Sequence, residues 1–303
     1  MLSGAEVVIR VEYSFLNYKD ALSASGKRGV TGRYPHTPGI DAAGRVVLCP
    51  SGVFRQGDPV IVTGYDLGMN SSGGFGRYIG VPEGWVVRLP RGLTLKESMA
   101  FGTAGLTAAM AAEVILERLR SQAGPVLVTG AGGGVGCLSV ALLSDLGYRV
   151  VAVTGKAGAA ALLRDLGAES ILSREEALDA GGRPLLPCRW AGVIDTVGGG
   201  ILSTAVRSVQ PGGTVVSCGN ASSPELTLTV YPFILRGIGL IGIDSQNCLL
   251  DRCLHIWKLL AGKWKTPKLP LLHREIPLER LGTAIGQMLR GEITGRLVID
   301  HGQ

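Results

Sequence analysis

The sequence predicts an α/β protein in which a doubly wound parallel sheet is combined with a smaller β-barrel. Two observations lead to this prediction. Short β-branched runs separated by Gly, Pro and Asp turns fill the first part of the chain, which is typical of small antiparallel sheets or barrels. From about residue 98 onward, apolar strands alternate with helices, which is typical of a doubly wound sheet.

The predicted elements follow this division. In the first part, strands are predicted at residues 6–11, 44–48, 59–63 and 85–89. An Ala-rich helix is predicted over residues 98–119, and it is followed by strands at 126–128, 149–154, 191–196, 214–218 and 238–243 and by helices at 135–146 and 157–166. These strands are apolar throughout, as expected for strands that are buried on both faces. Helices near 251–261 and 278–289 and a strand at 296–300 complete the chain, so the predicted domains are 1–98 with 245–303, and 99–244.

Composition excludes several classes of protein. The net charge is +6, but no dense Lys/Arg run is present, which argues against a nucleic-acid partner. The six cysteines form no C-x-x-C pair and the four histidines show no metal-ligand spacing, so no metal site is predicted. The N-terminus has no signal-peptide pattern and the chain has no long uninterrupted apolar stretch. We therefore expect a cytoplasmic protein with reduced thiols and no membrane contact.

A glycine-rich loop follows the strand at 126–128 and opens a helix. Backbone without Cβ atoms lets a pyrophosphate approach closely, and the helix N-terminus offers it unpaired N–H groups. The spacing departs from the strict G-x-G-x-x-G pattern, but the strand before the loop and the helix after it indicate a dinucleotide site. The alternative is a tight turn without a ligand. The predicted cofactor contacts in this loop are Gly130, Gly132, Gly133, Gly134 and Val135.

The second strand of this part distinguishes between NADH and NADPH. An NADH site usually has an acid about 20 residues beyond the loop, on the ribose hydroxyls. Here the strand ends in Thr154, Gly155 and Lys156, and the next acid, Asp165, lies inside the following helix. A hydroxyl, a bare backbone and a cation suit a 2′-phosphate, so NADPH is predicted. The alternative is that Lys156 is a solvated residue at a helix start.

Several segments carry a resemblance to a known family. They include Asn-Tyr-Lys-Asp at 17–20, Pro-Gly-Ile-Asp at 38–41, Gly-Thr-Ala-Gly at 102–105, Ile-Asp-Thr-Val-Gly at 194–198 and Pro-Phe-Ile-Leu-Arg at 232–236. Together they resemble the quinone-oxidoreductase-like acrylyl-coenzyme A reductases, a zinc-free branch of the medium-chain dehydrogenase/reductase superfamily. The resemblance covers nearly the whole chain. It implies a GroES-like barrel around an inserted Rossmann domain, and a homodimer.

The sequence departs from the family pattern at two places. Relatives usually begin with a β-hairpin ahead of the strand near residue 6, and we expect the barrel of this chain to lack it. Relatives also carry a His-Trp pair ahead of Gly73, where this chain has Asn70, Ser71 and Ser72. We expect the shape of the substrate pocket to differ accordingly.

The resemblance implies hydride transfer to the β-carbon of an activated alkene, with hydrogen-bond donors facing the developing oxyanion. Tyr18 is then expected beside the nicotinamide; the alternative is a half-buried tyrosine bound to a loop carbonyl. Asn17 and Thr103 complete the predicted catalytic set. For Asn17 the alternative is a turn cap, and for Thr103 it is a helix cap.

Four further cofactor contacts are predicted. Gly198 and Gly219 follow strands of the parallel sheet, at the carboxyl ends where ligands bind in this fold. Asp244 and Arg296 match family positions near the cofactor pocket; the alternative is a structural ion pair.

Three functional hypotheses result. The leading one is NADPH-dependent reduction of an acrylyl-type enoyl thioester without a metal. The second is reduction of quinones or other α,β-unsaturated carbonyls. The third is a catalytically silent NADPH-binding protein.

Overall fold

Residues 6–302 are described by the structure, a computed structural model. Their contacts define two compact units: one runs to Leu106 and resumes at Ser245, and the other is Thr107–Asp244. The first five residues, on which the expectations about a signal peptide and a leading hairpin rest, lie outside the described range.

The strands of the described chain are β1 (Glu6–Phe15), β2 (Asp41–Leu48), β3 (Pro59–Thr63), β4 (Tyr78–Pro82), β5 (Val87–Arg88), β6 (Val126–Val128), β7 (Val150–Val153), β8 (Ala168–Leu172), β9 (Trp190–Asp195), β10 (Val209–Ser217), β11 (Gly239–Gly242), β12 (His273–Pro277) and β13 (Arg296–Asp300). The α-helices are α1 (Tyr18–Ala24), α2 (Leu95–Arg118), α3 (Gly134–Asp145), α4 (Ala160–Asp165), α5 (Gly199–Arg207), α6 (Tyr231–Arg236), α7 (Leu250–Ala261), α8 (Leu269–Leu272) and α9 (Leu281–Leu289).

The first unit is built on one sheet in the order β12-β13-β1-β2-β3-β5, with β4 also paired to β1. Its pairs are antiparallel except for β12 and β13, which run parallel. The long strand β1 contacts three others, and its alternate residues Val7, Ile9 and Val11 are buried in the apolar core of the sheet. Burial of one such side chain contributes about 1.5–3 kcal/mol, so this alternation fixes which face of β1 points inward.

The second unit contains a fully parallel sheet in the order β11-β10-β9-β6-β7-β8. Every residue of β6, β7 and β9 is buried, which explains why these strands are apolar without alternation. Because all strands run the same way, their carboxyl ends lie along one edge of the sheet. The loops that follow β6, β7, β9 and β10 therefore begin at that edge.

Helix α2 is long and apolar enough to cross a membrane, but 83% of its most apolar window is buried. It is therefore a core helix. Gly102, with φ 48°, interrupts it and separates the stretch before it from the stretch that begins at Thr103.

The structure confirms the predicted combination of a β-rich part with a doubly wound parallel sheet. Strands β3, β6 and β13 have the predicted limits, and α2 begins three residues earlier than predicted, at Leu95. Strands β4, β8 and β12 and helices α1, α5, α6 and α8 were not predicted. Strand β8 was not predicted because its exposed residues Glu169 and Ser170 interrupt the apolar pattern.

Candidate functional site

The glycine loop of the second unit has the geometry of an anion cradle. Gly130 adopts φ 59°, a conformation that favours glycine, and its carbonyl accepts a hydrogen bond of 2.9 Å from the Gly133 N–H. Gly133 is the N-cap of the twelve-residue helix α3. A Cβ at Gly136 would lie 2.6 Å from the Cα of Ala131, so glycine is needed for α3 to pack on the loop. Gly134 and Val135 form the first turn of α3, whose N–H groups suit a phosphate.

A buried carboxylate fixes the base of this loop. Asp195, at the end of β9, accepts hydrogen bonds from the Thr129 hydroxyl at 2.6 Å and from the Gly198 N–H at 2.9 Å. The Thr196 hydroxyl in turn donates to the Thr129 carbonyl at 2.9 Å. Burial raises the pKa of Asp195, and the bond from Thr129 opposes that shift. The loops after β6 and β9 are thereby held together.

The end of β7 lies against the glycine loop. The ammonium of Lys156 donates to the Gly132 carbonyl at 3.4 Å, and a Cβ on Gly132 would lie 2.9 Å from the Thr154 hydroxyl. That hydroxyl accepts the Lys156 N–H at 3.1 Å. Burial lowers the pKa of Lys156. The structure thus brings three predicted cofactor residues from two loops into one place.

Gly198 and Gly219 allow two loops at the same sheet edge to approach each other. Gly198 adopts φ 69° and forms an isolated bridge with Ser223. A Cβ on Gly219 would lie 2.5 Å from the Thr196 carbonyl oxygen. Asp244 is exposed and follows the edge strand β11.

In the first unit, two predicted catalytic residues converge on Asp41, the first residue of β2. Its carboxylate accepts the Thr103 N–H at 3.0 Å, the Thr103 hydroxyl at 2.6 Å and the Asn17 side-chain amide at 2.8 Å. Asp41 is fully buried; burial raises its pKa, and these hydrogen bonds oppose the shift. A carboxylate with three donors is satisfied despite its burial, and it fixes both Asn17 and Thr103.

A second buried carboxylate, Asp20, fixes the backbone of Asn17. It accepts the Asn17 N–H at 2.7 Å and the Ile40 N–H at 2.8 Å. Burial raises its pKa to about 7, and the nearby Asp41 contributes to the increase. Sequence reasoning did not assign a site role to Asp20 or Asp41. The available signal was the position of Asp41, an acid directly before the small residues Ala42, Ala43 and Gly44, all of which are buried in β2.

Tyr18 opens helix α1 directly after Asn17. The residue is 49% exposed. Tyr18 therefore follows directly on the anchored backbone of Asn17 and is half exposed. Its contact with a cofactor stays a prediction.

Arg296 has a structural role in the first unit. The residue is fully buried, and its guanidinium donates to the carbonyls of Ala100 at 2.5 Å and Phe101 at 2.7 Å. It also stacks over the ring of Phe15, 3.6 Å from the centroid. These carbonyls belong to the turn of α2 that Gly102 interrupts. Arg296 therefore donates hydrogen bonds to acceptors that the interrupted helix leaves without helical donors. Its assignment to the cofactor stays a prediction.

One basic residue at the cofactor edge was missed. Arg174 follows β8, and a Cβ on Gly155 would lie 2.5 Å from its Cζ. Because β8 itself was not predicted, no sequence pattern placed Arg174 beside β7.

Within residues 6–302, no group of three or more His, Cys, Asp and Glu side chains could hold a metal ion.

Comparisons with known proteins agree with this architecture. Residues 3–91 match the alcohol dehydrogenase GroES-like domain, and residues 134–260 match the zinc-binding dehydrogenase family. The chain is 40% identical to the acrylyl-CoA reductase AcuI of Ruegeria pomeroyi, over 97% of this chain and 90% of the relative.

Two solved structures are close in fold. YhdH of E. coli K-12, with bound NADPH, has a TM-score of 0.95 and 37% identity, covering 99% of this chain and 92% of that one. YhfP of Bacillus subtilis, with NAD bound, has a TM-score of 0.94 and 42% identity, with the same coverage.

Proposed function

The chain belongs to the quinone-oxidoreductase-like branch of the medium-chain dehydrogenase/reductase superfamily, and from that membership we propose that it reduces the double bond of an acrylyl-type enoyl thioester with NADPH. The observation that carries the proposal is the contact between the glycine loop and the end of β7. There the Lys156 ammonium donates to the glycine-loop carbonyl of Gly132, and the Lys156 N–H donates to the Thr154 hydroxyl. Similarity to an acrylyl-CoA reductase over 97% of the chain supports the substrate class.

The second unit, Thr107–Asp244, binds the cofactor in this proposal. The N–H groups of Gly134 and Val135 at the start of α3 would hold the pyrophosphate, because the helix dipole there favours an anion, and Gly133 would let it approach the backbone. Thr154 and Lys156 contact the 2′-phosphate, and Gly155 leaves the backbone open beside it. When bound, NADPH supplies the hydride for the β-carbon of the alkene.

Residues of the first unit stabilise the charge that develops on the thioester oxygen. The Tyr18 hydroxyl donates a hydrogen bond to this oxygen; the exposure of the residue and its position directly after the anchored Asn17 support this role. Asp41 and Asp20 hold Asn17 and Thr103 in fixed positions and so limit the reorganisation needed during the reaction.

We further propose a cytoplasmic homodimer. Strand β11 is an edge of the parallel sheet, and apolar side chains of the neighbouring helix α6 and its N-cap are exposed: Val230 at 64%, Ile234 at 67% and Leu235 at 63%. A second copy of the chain would cover this apolar surface.

The test is a cofactor oxidation assay with purified protein. NADPH is mixed with acrylyl-coenzyme A, and the absorbance of the reduced nicotinamide is followed. In one parallel arm NADH replaces NADPH, and in another a quinone replaces the thioester. We expect rapid oxidation with NADPH and the thioester and slow oxidation with NADH. Turnover of the quinone alone would replace the proposal with quinone reduction, and NADPH binding without turnover would favour a catalytically silent protein.

A further inference from the structure

Residues 25–40, between α1 and β2, form a loop that leaves the candidate site of the first unit and returns to it. The loop begins after α1, whose first residue is Tyr18, and it ends at Asp41, whose carboxylate holds the Asn17 side chain. Its return is fixed by the Ile40 N–H, which donates to the Asp20 carboxylate at 2.8 Å. Both ends of the 25–40 loop are therefore anchored at residues of that site.

Hydrogen bonds give the 25–40 loop a fixed shape. The Tyr34 hydroxyl donates to the Ser23 carbonyl at 2.9 Å, and the Ser23 hydroxyl lies 2.8 Å from His36 Nε2. The Gly32 N–H donates to the side-chain oxygen of Asn70 at 2.9 Å. Asn70 is the first residue of the segment in which this chain departs from the family pattern. The loop is thereby held against the segment where we expect the substrate pocket to differ from that of relatives.

The 25–40 loop carries three exposed cations, Lys27, Arg28 and Arg33. No Asp or Glu occurs in the sequence between Asp20 and Asp41. No acidic side chain in the described part of the chain forms an ion pair with any of the three cations. Like charges this close in sequence repel one another, and water and salt screen the repulsion only in part. A bound polyanion would replace this repulsion with attraction.

We propose that the 25–40 loop binds the phosphate groups of the coenzyme A part of the substrate. The inference rests on the proposed function and adds to it the surface that distinguishes a coenzyme A thioester from a quinone. The long pantetheine arm of coenzyme A separates its phosphates from the thioester carbon, so a loop anchored at the site is suited to reach them. Arginine binds a phosphate through two hydrogen bonds and lysine adds a point charge, whereas an uncharged quinone gains nothing from these cations.

The experiment compares acrylyl-coenzyme A with acrylyl-pantetheine, which has the same thioester but lacks the phosphates. NADPH oxidation gives KM and kcat for both thioesters in the wild-type protein and in the triple variant Lys27→Ala, Arg28→Ala and Arg33→Ala. In the triple variant, KM for acrylyl-coenzyme A should rise about tenfold, because each exposed ionic contact contributes modestly. KM for acrylyl-pantetheine and KM for NADPH should stay at their wild-type values, since neither depends on these cations.

The matched control removes three exposed cations from other segments of the first unit, through Lys258→Ala, Arg274→Ala and Arg280→Ala. The control has the same net charge as the triple variant and should keep the wild-type KM for acrylyl-coenzyme A. A second measurement varies the ionic strength from about 0.01 M to about 1 M, which shortens the Debye length from about 30 Å to about 3 Å. KM for acrylyl-coenzyme A should increase with salt in the wild-type protein and less so in the triple variant.

The outcomes separate this inference from the proposed function. If the wild-type protein reduces both thioesters with the same KM, or if the triple variant keeps the wild-type KM for acrylyl-coenzyme A, the role of the 25–40 loop is overturned and the proposed function stands. A rise in KM for NADPH instead would assign the cations to the cofactor and would also overturn the inference. If the wild-type protein oxidises NADPH with neither thioester, the proposed function fails, and the inference fails with it.

Discussion

The carboxylate of Asp41 accepts both the backbone N–H of Thr103, at 3.0 Å, and its hydroxyl, at 2.6 Å. One buried acid thereby fixes the start of the second stretch of α2. The same carboxylate holds the side chain of Asn17, so two segments that are distant in sequence share one anchor.

Removal of the Thr103 hydroxyl should weaken this anchor. Thr103→Ala deprives Asp41 of a short hydrogen bond, and we expect the free energy of unfolding to fall by about 1–3 kcal/mol. Thr103→Ser keeps the hydroxyl and should retain most of the stability. Thermal unfolding monitored by circular dichroism compares the three proteins, and equal melting temperatures for Thr103→Ala and wild type would refute the prediction.

A second prediction concerns Gly102, where a Cβ would lie 2.7 Å from the Asp41 carboxylate and 3.0 Å from the Arg296 guanidinium. Gly102→Ala should therefore lower the free energy of unfolding by more than the about 1–3 kcal/mol expected for Thr103→Ala. The reason is that φ 48° is itself unfavourable for alanine, in addition to the crowding. Gly158→Ala is the control, because nothing lies within 4 Å of a Cβ there. Urea denaturation of both variants measures the difference; similar midpoints would argue against the crowding at Gly102.

The stability of the protein should depend on the ionisation of Asp20. Burial raises the pKa of this carboxyl from 3.8 to about 7, so between these values the folded state binds more protons than the unfolded state. The stability that Asp20 contributes is fully present below pH 3.8 and is lost as the pH rises through about 7.

Asp20→Asn removes this dependence. The melting temperature of the variant, relative to wild type, should increase between about pH 5 and pH 8, whatever constant offset the lost hydrogen bond introduces. The exposed Asp165, replaced by Asn, serves as the control and should follow the wild-type profile. Parallel profiles for Asp20→Asn and wild type would show that Asp20 does not titrate in this range.

Tyr18→Phe should slow the proposed reaction by about a hundredfold in kcat with little change in KM, because the lost hydrogen bond acts on charge that develops in the transition state. Tyr78→Phe is the matched control, since that side chain is exposed to a similar extent, 51% against 49%. Steady-state kinetics with NADPH and acrylyl-coenzyme A measure kcat and KM for both variants and for the wild-type protein. An unchanged kcat for Tyr18→Phe would show that the Tyr18 hydroxyl takes no part in the reaction.

The proposed dimer predicts the effect of a charge on α6. Ile234→Glu should convert the protein to a monomer, because a carboxylate in a buried apolar interface is not solvated. Leu249→Glu introduces the same charge at a leucine of the first unit that is 79% exposed, and it should leave the mass unchanged. Light scattering after size exclusion measures both; a monomeric wild-type protein would contradict the proposal.

The sequence by itself determined the parallel sheet, the glycine loop and the end of β7. Each of these is a contiguous segment in which strand periodicity and glycine spacing express local backbone requirements. Only the tertiary structure decided which residues meet. Asp41 joins Asn17, 24 positions away, to Thr103, 62 positions away. Arg174 reaches Gly155 only because β8 pairs with β7. Strand register and helix packing place these side chains together, and no local pattern records a contact made across such separations.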